Sequence, residues 1–381
     1  MPISLGKIFS RFKDINNQLL GGSYTSISTQ DPNDVLISQE FDRRLPTSYS
    51  MNHVEKKKFY TRSVHKGTVG CLVSVRTGMY ISGGADSSLA LHNIDTGACT
   101  LKWIGHTNEV TKVAYRHTSG KHYVLSGSRD TTLKLWQFNK QTTEQTFEGH
   151  DLTVTGLVIL EDDKIVSGSR DTTIRLWDIN TGKNIYHVER SRNLITHMSL
   201  SSTTNTIAQS SEDKEIKIWD AKNLELISAM PKKHHIQTYV DMSQDGLYCL
   251  SSSNGFNGDG CEITLWDLRA NKILRVFKGH ESSVSSATFL YQQVTWKKLM
   301  LSTSAMNTVK IWNVDDGNCL WTEEIPIRSD LMAGVGFIDG NIIVSGTNSV
   351  LCHLRLLGRA GRLYLKTTSV QNDTIISDTS V

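Results

Sequence analysis

Histidine, serine and aspartate recur in a fixed order along this chain of 381 residues: His106, Ser126 and Asp130, then His150, Ser167 and Asp171, each set closed by a tryptophan, Trp136 or Trp177. In a hydrolase those side chains form a relay in which the carboxylate orients an imidazole that takes the serine proton. Buried in a core, the same three satisfy one another, since an imidazole between a carboxylate and a hydroxyl leaves none of them unpaired. Two copies in neighbouring segments argue against a single catalytic centre. The expectation is a set of structural braces, no catalytic residue and no enzyme; a hydrolase using His150 and Asp171 is the alternative it must beat.

Other chemistries find less to stand on. Asn254, Asn257, Asp259 and Glu262 place oxygens close together, but not at the spacing of a twelve-residue calcium loop with its terminal bidentate Glu. No Walker loop, dinucleotide fingerprint or His/Cys ligand spacing occurs, so neither metal nor cofactor is expected. The six cysteines, Cys71, Cys99, Cys249, Cys261, Cys319 and Cys352, lie far apart without a C-x-x-C pair, which is how reduced cytosolic thiols look. Lys plus Arg (41) nearly balances Asp plus Glu (38), giving no field that argues for nucleic-acid binding. No apolar run approaches the roughly 20 residues that span a bilayer. The opening MPISLGKIFSRFK lacks a signal-peptide pattern. Pro2 leaves no N-terminal glycine to acylate, and the closing SDTSV is no prenylation box.

The braces sit on a repeat. SGSRDTTLKLWQ (126–137) returns as SGSRDTTIRLWD (167–178), then as SSEDKEIKIWD (210–220), CEITLWD (261–267) and NTVKIWN (307–313). The tryptophans Trp136, Trp177, Trp219, Trp266 and Trp312 are 41, 42, 47 and 46 residues apart, and Gly-His pairs recur upstream at Gly105-His106, Gly149-His150 and Gly279-His280. These residues resemble the WD-repeat family, whose period of roughly 40 to 45 residues forms one four-stranded propeller blade. The resemblance implies an all-β, seven-bladed β-propeller over 58–368, with an N-terminal extension at 1–57 and a flexible tail at 369–381. It also implies that His106, Ser126, Asp130 and Trp136, and His150, Ser167, Asp171 and Trp177, are the tetrads that tie the loop before a blade to its second and third strands.

A ring must close, because an open one leaves strand edges unpaired. FYTRSVHKGTV (59–69) is in phase with EQTFEGHDLTV, so Phe59 to Val64 are favoured as the outer strand of the last blade, while RLYLKTT (362–368) competes for that edge. Departures from the tetrad mark blades expected to be softer, by roughly 1 to 3 kcal/mol per lost network. The first keeps His65, Ser82 and Asp86 but has His92 for Trp; the fourth has Ser191 for His and Gln209 for Ser; the sixth has Met306 where Asp is expected. In the extension, Leu5, Ile8, Phe12, Ile15 and Leu19 follow helical spacing with Lys7, Arg11 and Lys13 on other faces. That pattern fits a short basic amphipathic helix for weak membrane-surface or partner contact, or one packed on the ring.

Partner contacts are expected on the turns. Arg129 and Arg170 precede the tetrad aspartates, with Glu212 at the equivalent place in the fourth blade; the resemblance puts these turns on the family's usual partner surface, where paired arginines suit an acidic peptide. The lengthened loop at 252–260 carries Phe256 and Asp259. Trp266-Asp267-Leu268-Arg269 matches W-D-x-R, which resembles the motif that docks some WD-repeat substrate receptors to cullin-4 ubiquitin ligases, with Arg269 as the contact. Thr379-Ser380-Val381 fits a C-terminal ligand for a PDZ-type groove. Finally, SRNLITH (191–197), SEDKEIKIWD (211–220), HIQTY (235–239) and SSNGFNGDGCEITLWDLR (252–269) are similar to a cilium-associated subgroup of WD-repeat proteins. That similarity implies a non-enzymatic, monomeric scaffold binding other proteins, cytoplasmic and ciliary, working with GTPase regulators on ciliary transport complexes.

Overall fold

In the computed structural model the described residues are 59–61, 63–118, 120–189, 194–327, 329–359 and 362–371. The amphipathic segment, Ser191 and the C-terminal Thr379-Ser380-Val381 lie outside them. All regular structure among the described residues is strand, twenty-nine in number, arranged as seven sheets. The first six are antiparallel meanders of four consecutive strands, spanning 69–104, 110–147, 154–189, 195–229, 237–278 and 284–324. The innermost strand of each packs on that of the next, and Val69–Arg76 of the first blade packs on Leu331–Gly336 of the seventh, which completes the ring.

The repeat explains the layering. Second strands such as Lys164–Ser169 are buried along nearly their whole length, because both faces meet a neighbouring blade. They read as Val/Ile followed by Ser-Gly-Ser instead of alternating. The glycine sits where the next blade presses in: a Cβ built on Gly127 would lie 2.6 Å from Val154 Cγ1, and one on Gly83 2.7 Å from Val110 Cγ1. Outer strands such as Asn184–Glu189 expose most of their residues. The turn after each tetrad aspartate holds a left-handed residue, Ser87, Thr131, Thr172 or Lys214. The aspartate stabilises that turn by accepting a backbone N–H two residues on, as Asp130 does from Thr132 (3.0 Å).

Closure differs from the expected arrangement. The fourth strand of the seventh blade is C-terminal: Arg362–Gln371 pairs antiparallel with Leu351–Arg359 over nine residue pairs, and it runs past the expected boundary at 368. Phe59–Thr61 adds outside it as a fifth strand, parallel, with three pairs from Phe59↔Ser369 to Thr61↔Gln371. A hairpin with a tight connection closes at small entropic cost and builds the longer ladder, so it takes the inner place. The leading loop still contributes to the seam: Ser349 N–H donates to the Gly67 carbonyl (2.7 Å) and Gly67 N–H to Ser349 Oγ (2.9 Å). Tyr80 of the first blade meets His353 of the seventh at 2.9 Å.

Candidate functional site

Each tetrad is brought together by the loop before a blade, the second strand, the turn after it and the third strand. In the second blade His106 Nδ1 donates to Asp130 (2.8 Å), Ser126 O–H donates to His106 Nε2 (2.7 Å), and Trp136 Nε1 donates to Ser126 Oγ (2.8 Å). The third repeats this with His150, Asp171, Ser167 and Trp177 at 2.7, 2.7 and 2.8 Å. Burial alone would raise the Asp130 and Asp171 carboxyls. Hydrogen bonds from the histidine and from Thr132 or Thr173 outweigh it, leaving both below the usual carboxylate range. Ser126 and Ser167 are 0% exposed, with the hydroxyl proton committed to histidine and the oxygen to indole. Such a serine offers no substrate access, so the geometry is that of a brace.

The first blade does not lose its network, contrary to the expectation drawn from His92. His65 bridges Asp86 (2.8 Å) and Ser82 (2.7 Å), and the His92 Nε2–H donates to Ser82 Oγ (2.7 Å), replacing the indole N–H. His92 also stacks on Tyr80 with ring centroids 4.6 Å apart, and Lys102 adds an ion pair to Asp86 (3.0 Å). In the fourth blade Trp219 donates to Gln209 Oε1 (2.7 Å) while Asp213 pairs with Lys217. In the sixth, His280 holds Ser302 (2.7 Å) but reaches only Thr308 (3.3 Å) on its other side, and Met306 is exposed.

The residues expected to meet partners fall on two faces. Antiparallel meanders put the turns between second and third strands on one side of the ring and those between third and fourth strands on the other. Arg129, Arg170, Glu212, Phe256 and Asp259 occupy the first side, Arg269 the second. Arg129 faces Glu109 and Arg170 faces Glu212 of the next blade, each at 3.4 Å, so each arginine already has an acidic neighbour. Phe256 is 76% exposed. Its loop closes through Phe256 N–H to the Asp259 carbonyl (3.0 Å) and leans on the sixth blade through Gly258 N–H to the Glu281 carbonyl (2.9 Å). Arg269 lies over the Tyr248 ring, 5.7 Å from its centroid, with Asp267 at 3.4 Å.

A polar cluster on the innermost strands escaped sequence reasoning. Cys71, Lys112, Gly156, His197, Tyr239, Ser286 and Ala333 each follow a bulge at the same register of their blades, an equivalence that only a full alignment of the seven blades would reveal. Lys112 Nζ contacts His197 Nε2 and lies 5.2 Å from the Tyr239 ring centroid; His197 stacks on that ring at 3.7 Å. Burial pushes Lys112 down to about 8. Burial also lifts Asp241, two residues beyond Tyr239, to about 6 against hydrogen bonds from Phe289 N–H and Ser199. Among the described residues no group of three His, Cys, Asp or Glu side chains could hold a metal ion, and no helix is long and apolar enough to cross a membrane.

Comparison with known proteins agrees with this architecture. The WD domain, G-beta repeat, matches residues 97–137, 141–178 and 182–220. Each match takes in the outer strand of one blade and three strands of the next. The chain is 31% identical to nuclear distribution protein nudF 1 of Talaromyces marneffei over 142 residues, 36% of this chain and 28% of that one. It is 25% identical to human striatin over 279 residues, 62% of this chain and 33% of striatin, and 23% identical to an uncharacterised WD repeat-containing protein of Schizosaccharomyces pombe over 268 residues, 66% and 68% of the two chains. The match thus spans a third or less of nudF 1 and striatin. Repeats of this description thus match about a third of the chain, within residues 97–220, and lie within a closed ring of seven blades.

Proposed function

We propose that the chain is a non-enzymatic, monomeric scaffold that binds other proteins through its turns, with neither cofactor nor nucleic acid involved. One observation carries this reading: the side chains that could do hydrolysis are spent inside the blades, whereas Arg129, Arg170, Phe256 and Asp259 stand on exposed turns. The finer reading rests on the similarity to WD repeat-containing protein 31: a cytoplasmic and ciliary factor that helps GTPase regulators act on ciliary transport complexes. Proximity labelling in ciliated cells tests it. Enrichment of ciliary transport components is expected, weakened by replacing Arg129 and Arg170 with Ala; a catalogue dominated by ligase subunits would sink it.

A second reading, a substrate receptor of a cullin-4 ubiquitin ligase, is favoured by Arg269. Trp266 and Leu268 are buried while Arg269 is about half exposed on Tyr248, so one side chain of that motif is presented and the others anchor it. Co-purification of the unmutated protein with the cullin-4 adaptor, lost in Arg269→Glu, is the expected result of that reading. Absence of adaptor from the unmutated protein removes it.

A further inference from the structure

On the side of the ring away from Arg129 and Arg170, the turn between the first two strands of the sixth blade is long, running from Tyr291 to Lys298. It is braced throughout. Gln244 N–H of the fifth blade donates to the Tyr291 hydroxyl (2.8 Å), and Gln293 N–H donates to the Ile338 carbonyl of the seventh (2.9 Å). Val294 packs into the core beneath. The Gln292 side chain closes the tip, donating to the Thr295 carbonyl (3.1 Å) and accepting from Thr295 N–H (2.9 Å). At that tip Trp296 is 89% exposed, although six of the other seven tryptophans are at most 3% exposed.

Beside the loop, between the fifth and sixth blades, lies a groove of about 470 Å³ walled by Tyr248, Leu265, Leu274, Phe289, Tyr291 and Val314. Ile273, Leu274, Tyr291 and Ile338 around it are all at least 40% exposed. A concave apolar site of this size suits one or two bulky side chains. An indole left in water on a braced loop is the kind of group that dominates binding energy when a partner covers it.

We propose that this groove and Trp296 form a second interaction surface, taking a peptide segment of another protein in which a bulky apolar residue is flanked by an acidic one. The charge at the rim selects that partner. Lys297 and Lys298 follow Trp296, and Lys298, on the groove wall, has no side-chain hydrogen bond or ion pair among the described residues. Arg275 is spent on the Asp315 and Asp316 carbonyls (2.8 and 2.7 Å). Asp245 and Asp315 also line the groove; Asp245 is held by Ser243 and Leu247 N–H. Two carboxylates at the mouth repel a continuous polyanion, so a carboxylate-bearing peptide fits better than an anionic membrane or an RNA.

Selection of random short peptides displayed on phage against the full chain tests this. The enriched peptides should carry an aromatic or aliphatic residue beside Asp or Glu and should shield Trp296 from iodide quenching. Their binding should weaken on the order of tenfold or more in Trp296→Ala and in Leu274→Arg, the loss expected for an interface anchor. Arg129→Ala and Arg170→Ala should leave it unchanged, which separates this surface from the one proposed above. Unchanged binding in Trp296→Ala, enrichment of Lys- or Arg-rich peptides, or no binders at all overturns the proposal. So does Trp296-dependent binding of phosphatidylserine vesicles or polyuridylate in place of peptides.

Discussion

At the scale of single residues, the recurrent histidines are ligands of their own blades, and their chemistry shows in stability. His150→Ala should lower stability by about 1 to 3 kcal/mol, the cost of leaving Asp171 and Ser167 partly unpaired in a core, measured by denaturant unfolding. Unchanged unfolding would revive the hydrolase. Titration gives a second check. Burial holds His92 and His280 down at about 3, so the unfolded chain takes up protons near 6.5 that the folded chain refuses. Their contribution is complete above that pH and falls away as pH drops toward 3, by about 2 kcal/mol per residue between pH 7 and 5. Asp241, raised to about 6, acts in the opposite direction, gaining stability as pH falls through that value. Thermal unfolding of His280→Gln at pH 7.5 and 5 should show a smaller drop than the parent, and an equal drop would refute the assignment. His92 was legible as the tryptophan's stand-in by position, but its donation to Ser82 depends on ring geometry that spacing does not encode.

At the scale of elements, a blade is defined by what its neighbours press against. Gly127→Ala would set a methyl group 2.6 Å from Val154 Cγ1, and a β-branched side chain is stiff enough that roughly 1 to 3 kcal/mol should be lost. At Gly97, with open space around it, the cost should come only from its left-handed backbone; similar unfolding midpoints for the two variants would contradict the packing account. The five Trp-centred stretches made the blades readable, because tetrad, turn and strand recur together. The loop from Tyr291 to Lys298 was not readable in the same way. Its order comes from Tyr291 and Gln293 reaching the fifth and seventh blades, contacts with no local signature, while Gln292 ties the tip within the loop.

At the scale of the whole molecule, the seven-fold ring follows from the repeat count, whereas the identity of the closing strand turned on a competition between two segments that both fit. The nine-pair hairpin prevailed over the three-pair parallel strand. Removing residues 362–381 should therefore prevent cooperative folding, while removing residues 1–62 should leave a folded ring with a modestly lower melting temperature, both checked by calorimetry; the reverse ranking would restore the N-terminal latch. The seam has a further consequence for biosynthesis. Since the strand that completes the circle ends at Gln371, a nascent chain emerging from the ribosome exposes an unsealed arc of six blades until that residue has emerged. The propeller is thus most vulnerable to misassembly and proteolysis while that strand is still unmade, and a premature stop between residues 362 and 371 should be about as damaging as one much earlier.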